Sequence, residues 1–173
     1  SLSISAVAME AKISKQSLFY HYSDMQELFF DLVKIWSRTG QECTIEVLAK
    51  QNTGGLTRVN SIIDGMFLWI ERYPEVSKLG LSMFQSGPHI RKIKKFMDEA
   101  RDIARGRLKE ILICDPKINR LNDKKLNELI TGIHTIMYGS FLYICAMNDF
   151  ANLANHHKNC LNNINQLLKA AQD

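Results

Sequence analysis

The polar side chains best suited to reading a nucleic acid stand together in one short stretch, Ser14-Lys15-Gln16-Ser17, followed closely by Tyr20 and His21. Glutamine can bond bidentately to adenine and lysine can reach guanine, while serine, tyrosine and histidine suit phosphate and sugar oxygens. Such chemistry needs a scaffold that turns these groups outward. Ile4, Val7 and Ala8 recur at helical spacing, and the run breaks at Ala11-Lys12-Ile13. Ser14 then stands where an N-cap belongs, before a second short helix from Lys15 to His21 whose Leu18 and Tyr22 turn inward. Two short helices joined by a tight turn make a helix-turn-helix, the unit whose second helix enters the major groove of DNA. A third helix starts at Ser23 or Asp24, with Gln26 or Glu27 placed to complete a capping box.

The same residues resemble the DNA-binding signature of the TetR family of transcriptional repressors. Its usual form runs Ile-Ala, Ala-Gly-Val-Ser, Thr-Leu-Tyr-Tyr-His-Phe and Ser-Lys-Glu-Glu-Leu. Here it stands as Val7-Ala8, Ala11-Lys12-Ile13-Ser14, Ser17-Leu18-Phe19-Tyr20-His21-Tyr22 and Asp24-Met25-Gln26-Glu27-Leu28, with the spacing kept. The resemblance implies that Ser14, Lys15, Gln16 and Ser17 meet base edges or nearby phosphates and that Tyr20 and His21 meet the backbone. Three positions depart from the pattern. Lys12 replaces the turn glycine, Phe19 a tyrosine whose hydroxyl commonly reaches a phosphate, and Met25 a lysine that does the same. Loss of two phosphate contacts weakens sequence-independent affinity and flattens its salt dependence without abolishing base reading. The family also carries another helix before this unit, so the sequence is expected to be truncated at its N-terminus.

Composition sets the wider limits. At 173 residues and 46% hydrophobic, the chain can bury a sizeable core in one small and one larger domain, expected at 1–34 and 35–173. Net charge is +4, yet Lys12, Lys15 and Lys34 are opposed by Glu10, Asp24, Glu27 and Asp31, which leaves the first domain about neutral. Charged residues interrupt every apolar run before the roughly 20 residues of a membrane span, and a cytoplasmic location is the expectation. Cys43, Cys114, Cys145 and Cys160 show no metal-ligand spacing and read as reduced thiols. His156-His157 lacks a ligand partner at helical spacing, so no metal or other cofactor is expected. With no Gly-rich phosphate loop, HExxH, GxSxG or paired carboxylates, the chain does not read as an enzyme.

The remainder is a series of amphipathic helices. The third continues from Asp24 past Gly40, where a bend is possible, to the loop Gln51-Asn52-Thr53-Gly54-Gly55. Helices follow at about Leu56 to Tyr73, from Pro74 through Phe84, and from His89 to Ile113. The last of these is basic, with Arg91, Lys92, Lys94, Lys95, Arg101, Arg105, Arg107 and Lys109, and reads as a solvated face rather than a nucleic-acid patch. The most apolar helix spans Lys124 to Met147, and the final one Leu153 to Ala171. No strand pattern competes, and the fold class is all-α.

The resemblance implies that the larger domain holds a small-molecule effector. Met66, Phe67, Met83, Phe84, Met97, His134, Tyr138 and Phe141 have the soft, aromatic or polar chemistry for such a pocket, although residues of these types also build plain core. His134, on an otherwise apolar helix, needs a hydrogen-bond partner if buried, and a core bond is expected ahead of a ligand contact. The last two helices can pair with a second copy in an isologous four-helix contact, as the resemblance also implies. Gly132, Ile136, Gly139, Ser140, His157, Leu161, Ile164 and Leu168 are the interface candidates, with two glycines two turns apart suggesting a close backbone approach. The expected function is a DNA-binding regulator, most simply a repressor, that works as a homodimer on a pseudo-palindromic duplex. The alternative is a helical dimeric module that binds a ligand or protein and has lost effective DNA binding.

Overall fold

Each segment with helical periodicity folds as a helix. The computed structural model describes residues 4–51 and 54–172, so Asn52 and Thr53 of the expected loop lie outside the described residues. The helices are α1 (Ile4–Glu10), α2 (Lys15–His21), α3 (Met25–Gln51), α4 (Thr57–Arg72), α5 (Pro74–Ser86), α6 (Arg91–Leu112), α7 (Asp123–Met147) and α8 (Leu153–Gln172). No strand occurs among the described residues, and the fold is all-α.

Local chemistry explains the boundaries. Pro74 opens α5, where its missing N–H costs nothing, and Asn122 caps α7 by accepting from the Lys125 N–H at 2.9 Å. Asp115 accepts from the N–H groups of Lys117 and Ile118, which folds the α6–α7 connection back on itself and holds its carboxyl below the usual range. Asn148 closes α7 in a left-handed conformation at φ 53°, one that asparagine tolerates better than most residues.

α3 runs through Gly40 without a break. At about 1.5 Å per residue its 27 residues extend roughly 40 Å, from the N-terminal unit across the larger body. A Cβ at Gly40 would make only ordinary contact, 3.8 Å from the Trp69 ring. The close crossing is at Gly65 of α4, which lies against the α3 backbone at Thr44.

Three buried clusters result. Ile4, Ala8, Leu18 and Leu28 form a small N-terminal core flanked by Val7, Tyr22 and Met25. The main core joins α3, α4, α7 and α8 around Ile63, Ile70, Ile133, Ile144 and Ile164. At its centre the Trp69 indole N–H donates to the Thr39 hydroxyl at 2.9 Å, and the Trp69 ring stacks on Phe141 at 5.7 Å. Val33, Met83 and Ile93 make a third cluster where α3, α5 and α6 meet.

One expectation is corrected here. By length and composition α7 is apolar enough to cross a membrane, against the expectation that charged residues interrupt every such run. Leu126, Leu129, Ile130, Ile133, Phe141 and Ile144 of α7 are all buried in the chain's own core.

Candidate nucleic-acid interface

The turn between α1 and α2 is tightened by backbone bonds from Ala11, Lys12 and Ile13 back to Val7, Met9 and Ala8. Lys12 occupies it at φ 55°, in the left-handed region, so a side chain stands where glycine would be unstrained. Ser14 then caps α2, its hydroxyl accepting the Ser17 N–H at 2.9 Å. This cap and the burial of Leu18 against Ile4, Ala8 and Leu28 set which face of α2 points out.

The outward face carries the residues predicted to do chemistry. Ser14, Lys15, Gln16, Ser17, Tyr20 and His21 are all exposed, Tyr20 at 86%. The Tyr20 and His21 rings meet edge to face at 5.1 Å, which orients both groups at the C-terminal end of the helix. The Lys15 ammonium lies 5.6 Å above the Phe19 ring of its own helix. Met25 packs against the small core.

The junction to α3 is firmly capped. Asp24 accepts the Glu27 N–H, and Glu27 reaches back to both the N–H and the hydroxyl of Ser23, each at 2.9 Å. These bonds hold the Glu27 carboxyl below its ordinary range. The expected capping box is thus present, with its return bond shifted one residue outward to Ser23.

The predicted effector residues do not line one pocket. Phe67 is buried against the His157 ring at 4.6 Å, and Phe141 stands in the aromatic centre of the main core. Met83 is 1% exposed in the third cluster, where Met97 packs beside it, and half-buried Met66 lies against the main core. Phe84, Tyr138 and His134 do converge, Tyr138 meeting the other two rings at 5.8 and 6.0 Å. His134 has no hydrogen-bond partner among the described residues, so the expected core bond is absent. Burial, and secondarily Arg105, push its imidazole below the usual pKa.

The interface candidates divide by helix. Ile164 is 0% and Leu168 5% exposed in the chain's own core, so neither has surface left for a second copy. His157 is bonded to Asp64 of α4 at 2.8 Å, and Leu161 packs against the same core. Periodicity alone cannot tell an intramolecular seam from an intermolecular one, and the α8 seam is intramolecular. On α7, Ile136 and Ser140 are half-buried, the Ser140 hydroxyl donating to the Ile136 carbonyl. Among the described residues no backbone of another element lies within 4 Å of a Cβ built at either glycine. A Cβ at Gly132 would meet only the tip of Leu167, at 2.9 Å, and nothing lies within 4 Å at Gly139. Beside Gly132 an open groove of about 740 Å³ runs between α7 and α8, lined by Thr131, Thr135, Ile136 and Leu167 among others. Farther along α7, Tyr143 and Met147 stand 53% and 64% exposed. Sequence reasoning missed these outer positions because their mixed small and aromatic types carry no apolar period.

Three of the eight basic residues of α6 pair with carboxylates of their own helix. Lys94 and Arg101 pair with Asp98, and Lys95 with Glu99, while Lys92 lies 4.3 Å over the Phe30 ring. His156 bonds Asp149 at 2.8 Å at the α7–α8 connection. Among the described residues no group of three or more His, Cys, Asp or Glu could hold a metal ion. No family model matches the chain, and neither a curated protein nor a solved structure matches it.

Proposed function

We propose that the chain is a TetR-like transcriptional regulator, a repressor that binds duplex DNA through α2 as a homodimer and responds to a small-molecule effector. One observation carries this reading: the Ser14-capped α2 buries Leu18 and leaves every side chain of its leading turn in solvent beside an exposed Tyr20. The small core fixes α2 through Leu18, which leaves this polar face free to meet another surface. In this reading Gln16 and Lys15 address base edges, and Ser14, Ser17, Tyr20 and His21 address the backbone. Two copies related by a two-fold axis would set their α2 helices roughly 34 Å apart on successive major grooves. The outer face of α7, with Gly139 open and Tyr143 and Met147 exposed, is the surface available for that pairing.

Selection of random duplexes by the full chain at stated salt tests the reading. Enrichment of a pseudo-palindromic site, lost in Lys15→Ala and Gln16→Ala, supports it. No enrichment removes it.

A second reading has its own observations. Lys15 lies over Phe19 and Met25 packs inward, so two positions suited to phosphate contact are otherwise engaged. A helical module that binds a ligand or protein and no longer reads DNA fits these facts, and the same selection separates the two.

A further inference from the structure

Between α5, α6 and α7 lies a group of polar side chains that solvent reaches, Tyr138 being 38% exposed and His134 half-buried. The Tyr138 ring on α7 packs edge-on against Phe84 of α5 and His134 one turn back. Neither the His134 ring nor the Tyr138 hydroxyl has a hydrogen-bond partner among the described residues. Partial desolvation against the neighbouring rings pushes the Tyr138 phenol up and the His134 imidazole down.

Arg105 reaches into the same seam from α6. Its Nη1 and Nη2 both donate to one oxygen, the Thr131 hydroxyl, each at 3.2 Å. Arg101, one turn earlier, is neutralised by Asp98 at 2.9 Å and Asp102 at 3.5 Å. Arg105 has no carboxylate within 4.0 Å among the described residues. A guanidinium fork resting on a single hydroxyl uses half of its geometry, whereas a carboxylate presents two oxygens at the matching spacing. α6 also covers this region loosely. Between Ile93 and Leu108 none of its residues is fully buried: Phe96, Met97, Asp98, Ala100, Ala104 and Arg105 are half-buried and the rest exposed.

We propose that this seam binds a small aromatic carboxylate. The carboxylate takes the place of Thr131 on the Arg105 fork, the ring lies against Phe84 and Tyr138, and His134 and the Tyr138 hydroxyl bond its remaining polar atoms. As the class of effector the inference rests on the regulator reading, while as a binding site it stands apart from it.

Calorimetric titration of the full chain with 2-naphthoate and its uncharged counterpart 2-naphthamide tests the proposal. Naphthoate binds at least about tenfold more tightly than the amide, the loss expected when a charge-assisted pair is removed. Arg105→Ala reduces naphthoate binding by a similar factor. Arg105→Lys keeps the charge and loses most of the preference, because an ammonium cannot fork. Tyr138→Phe and His134→Gln weaken binding several-fold, and Thr131→Val, which frees the fork, retains or strengthens it. Unchanged helical circular dichroism identifies folded variants, and Arg105→Lys with Thr131→Val keeps the test decisive if Arg105→Ala unfolds. Equal affinity for acid and amide, no binding of naphthoate at millimolar concentration, or indifference to the Arg105 substitutions overturns the site. Naphthoate binding without any effect on duplex retention leaves the site standing and removes its regulatory role. Duplex selection without naphthoate binding does the reverse.

Discussion

Gly65 of α4 lies so close to Thr44 of α3 that an added Cβ would sit 2.5 Å from the Thr44 Cα. Backbone cannot retreat as the tip of a side chain can, so this contact sets the separation of the two helices that carry the N-terminal unit and the centre of the core. Gly65→Ala is therefore expected to destabilise the chain by about 1–3 kcal/mol through overpacking. At this chain length that lowers Tm by roughly 2–12 °C. Gly106→Ala, where a Cβ would meet nothing within 4 Å, should instead gain about 0.5–1 kcal/mol from helix propensity. Thermal melts of the two variants check the contrast, and equal behaviour would refute the close crossing.

The left-handed turn at Lys12 yields a substitution that should improve the protein. Lys12→Gly relieves a side-chain conflict at φ 55° and is expected to stabilise by on the order of 1 kcal/mol, whereas Lys12→Ala keeps the strain. Ser14→Ala, two residues on, removes the acceptor of the Ser17 N–H and should cost about 1 kcal/mol. Chemical denaturation followed by circular dichroism reads all three. A Lys12→Gly variant no more stable than Lys12→Ala would mean the turn is not left-handed.

An ion pair ties the C-terminal end of α4 to α3. Arg72 donates to both Glu46 oxygens, at 2.6 and 3.2 Å, and Lys50 reaches the same carboxylate at 2.7 Å. The Arg72 bond, then that of Lys50, holds the Glu46 carboxyl down at about 2, against 4.5 for an unperturbed group. Because the folded pKa is depressed, the stabilisation is fully present above about 4.5 and is lost as pH falls toward 2. The stability gap between the natural chain and Glu46→Gln should thus be constant from pH 5 to 7 and shrink on acidification. Urea midpoints measured across that range would decide it, and a gap that widens in acid would contradict the pairing.

Much of this architecture was legible in the chain itself, because it depends on short-range physics. Apolar spacing in Ile4, Val7 and Ala8, the cap at Ser14, the proline at 74 and the asparagine at 122 act within one or two helical turns, and the helices begin and end near where those signals stand. The outward display of Lys15, Gln16 and Tyr20 follows from the same local rule once Leu18 is turned inward. What periodicity could not settle was the identity of each apolar stripe's partner. Phe67, Met83 and Phe141 have the chemistry of a ligand pocket and fill core instead, and Ile164 and Leu168 spend their surface inside their own chain. Gly40, Gly65, Gly132 and Gly139 look alike in sequence, yet only Gly65 meets backbone, because that distinction depends on where a second helix crosses. Helix positions are set by neighbours in the chain, whereas contacts between helices are set by three-dimensional packing among residues far apart in it. The meeting of Arg105, His134 and Tyr138 belongs to that second kind.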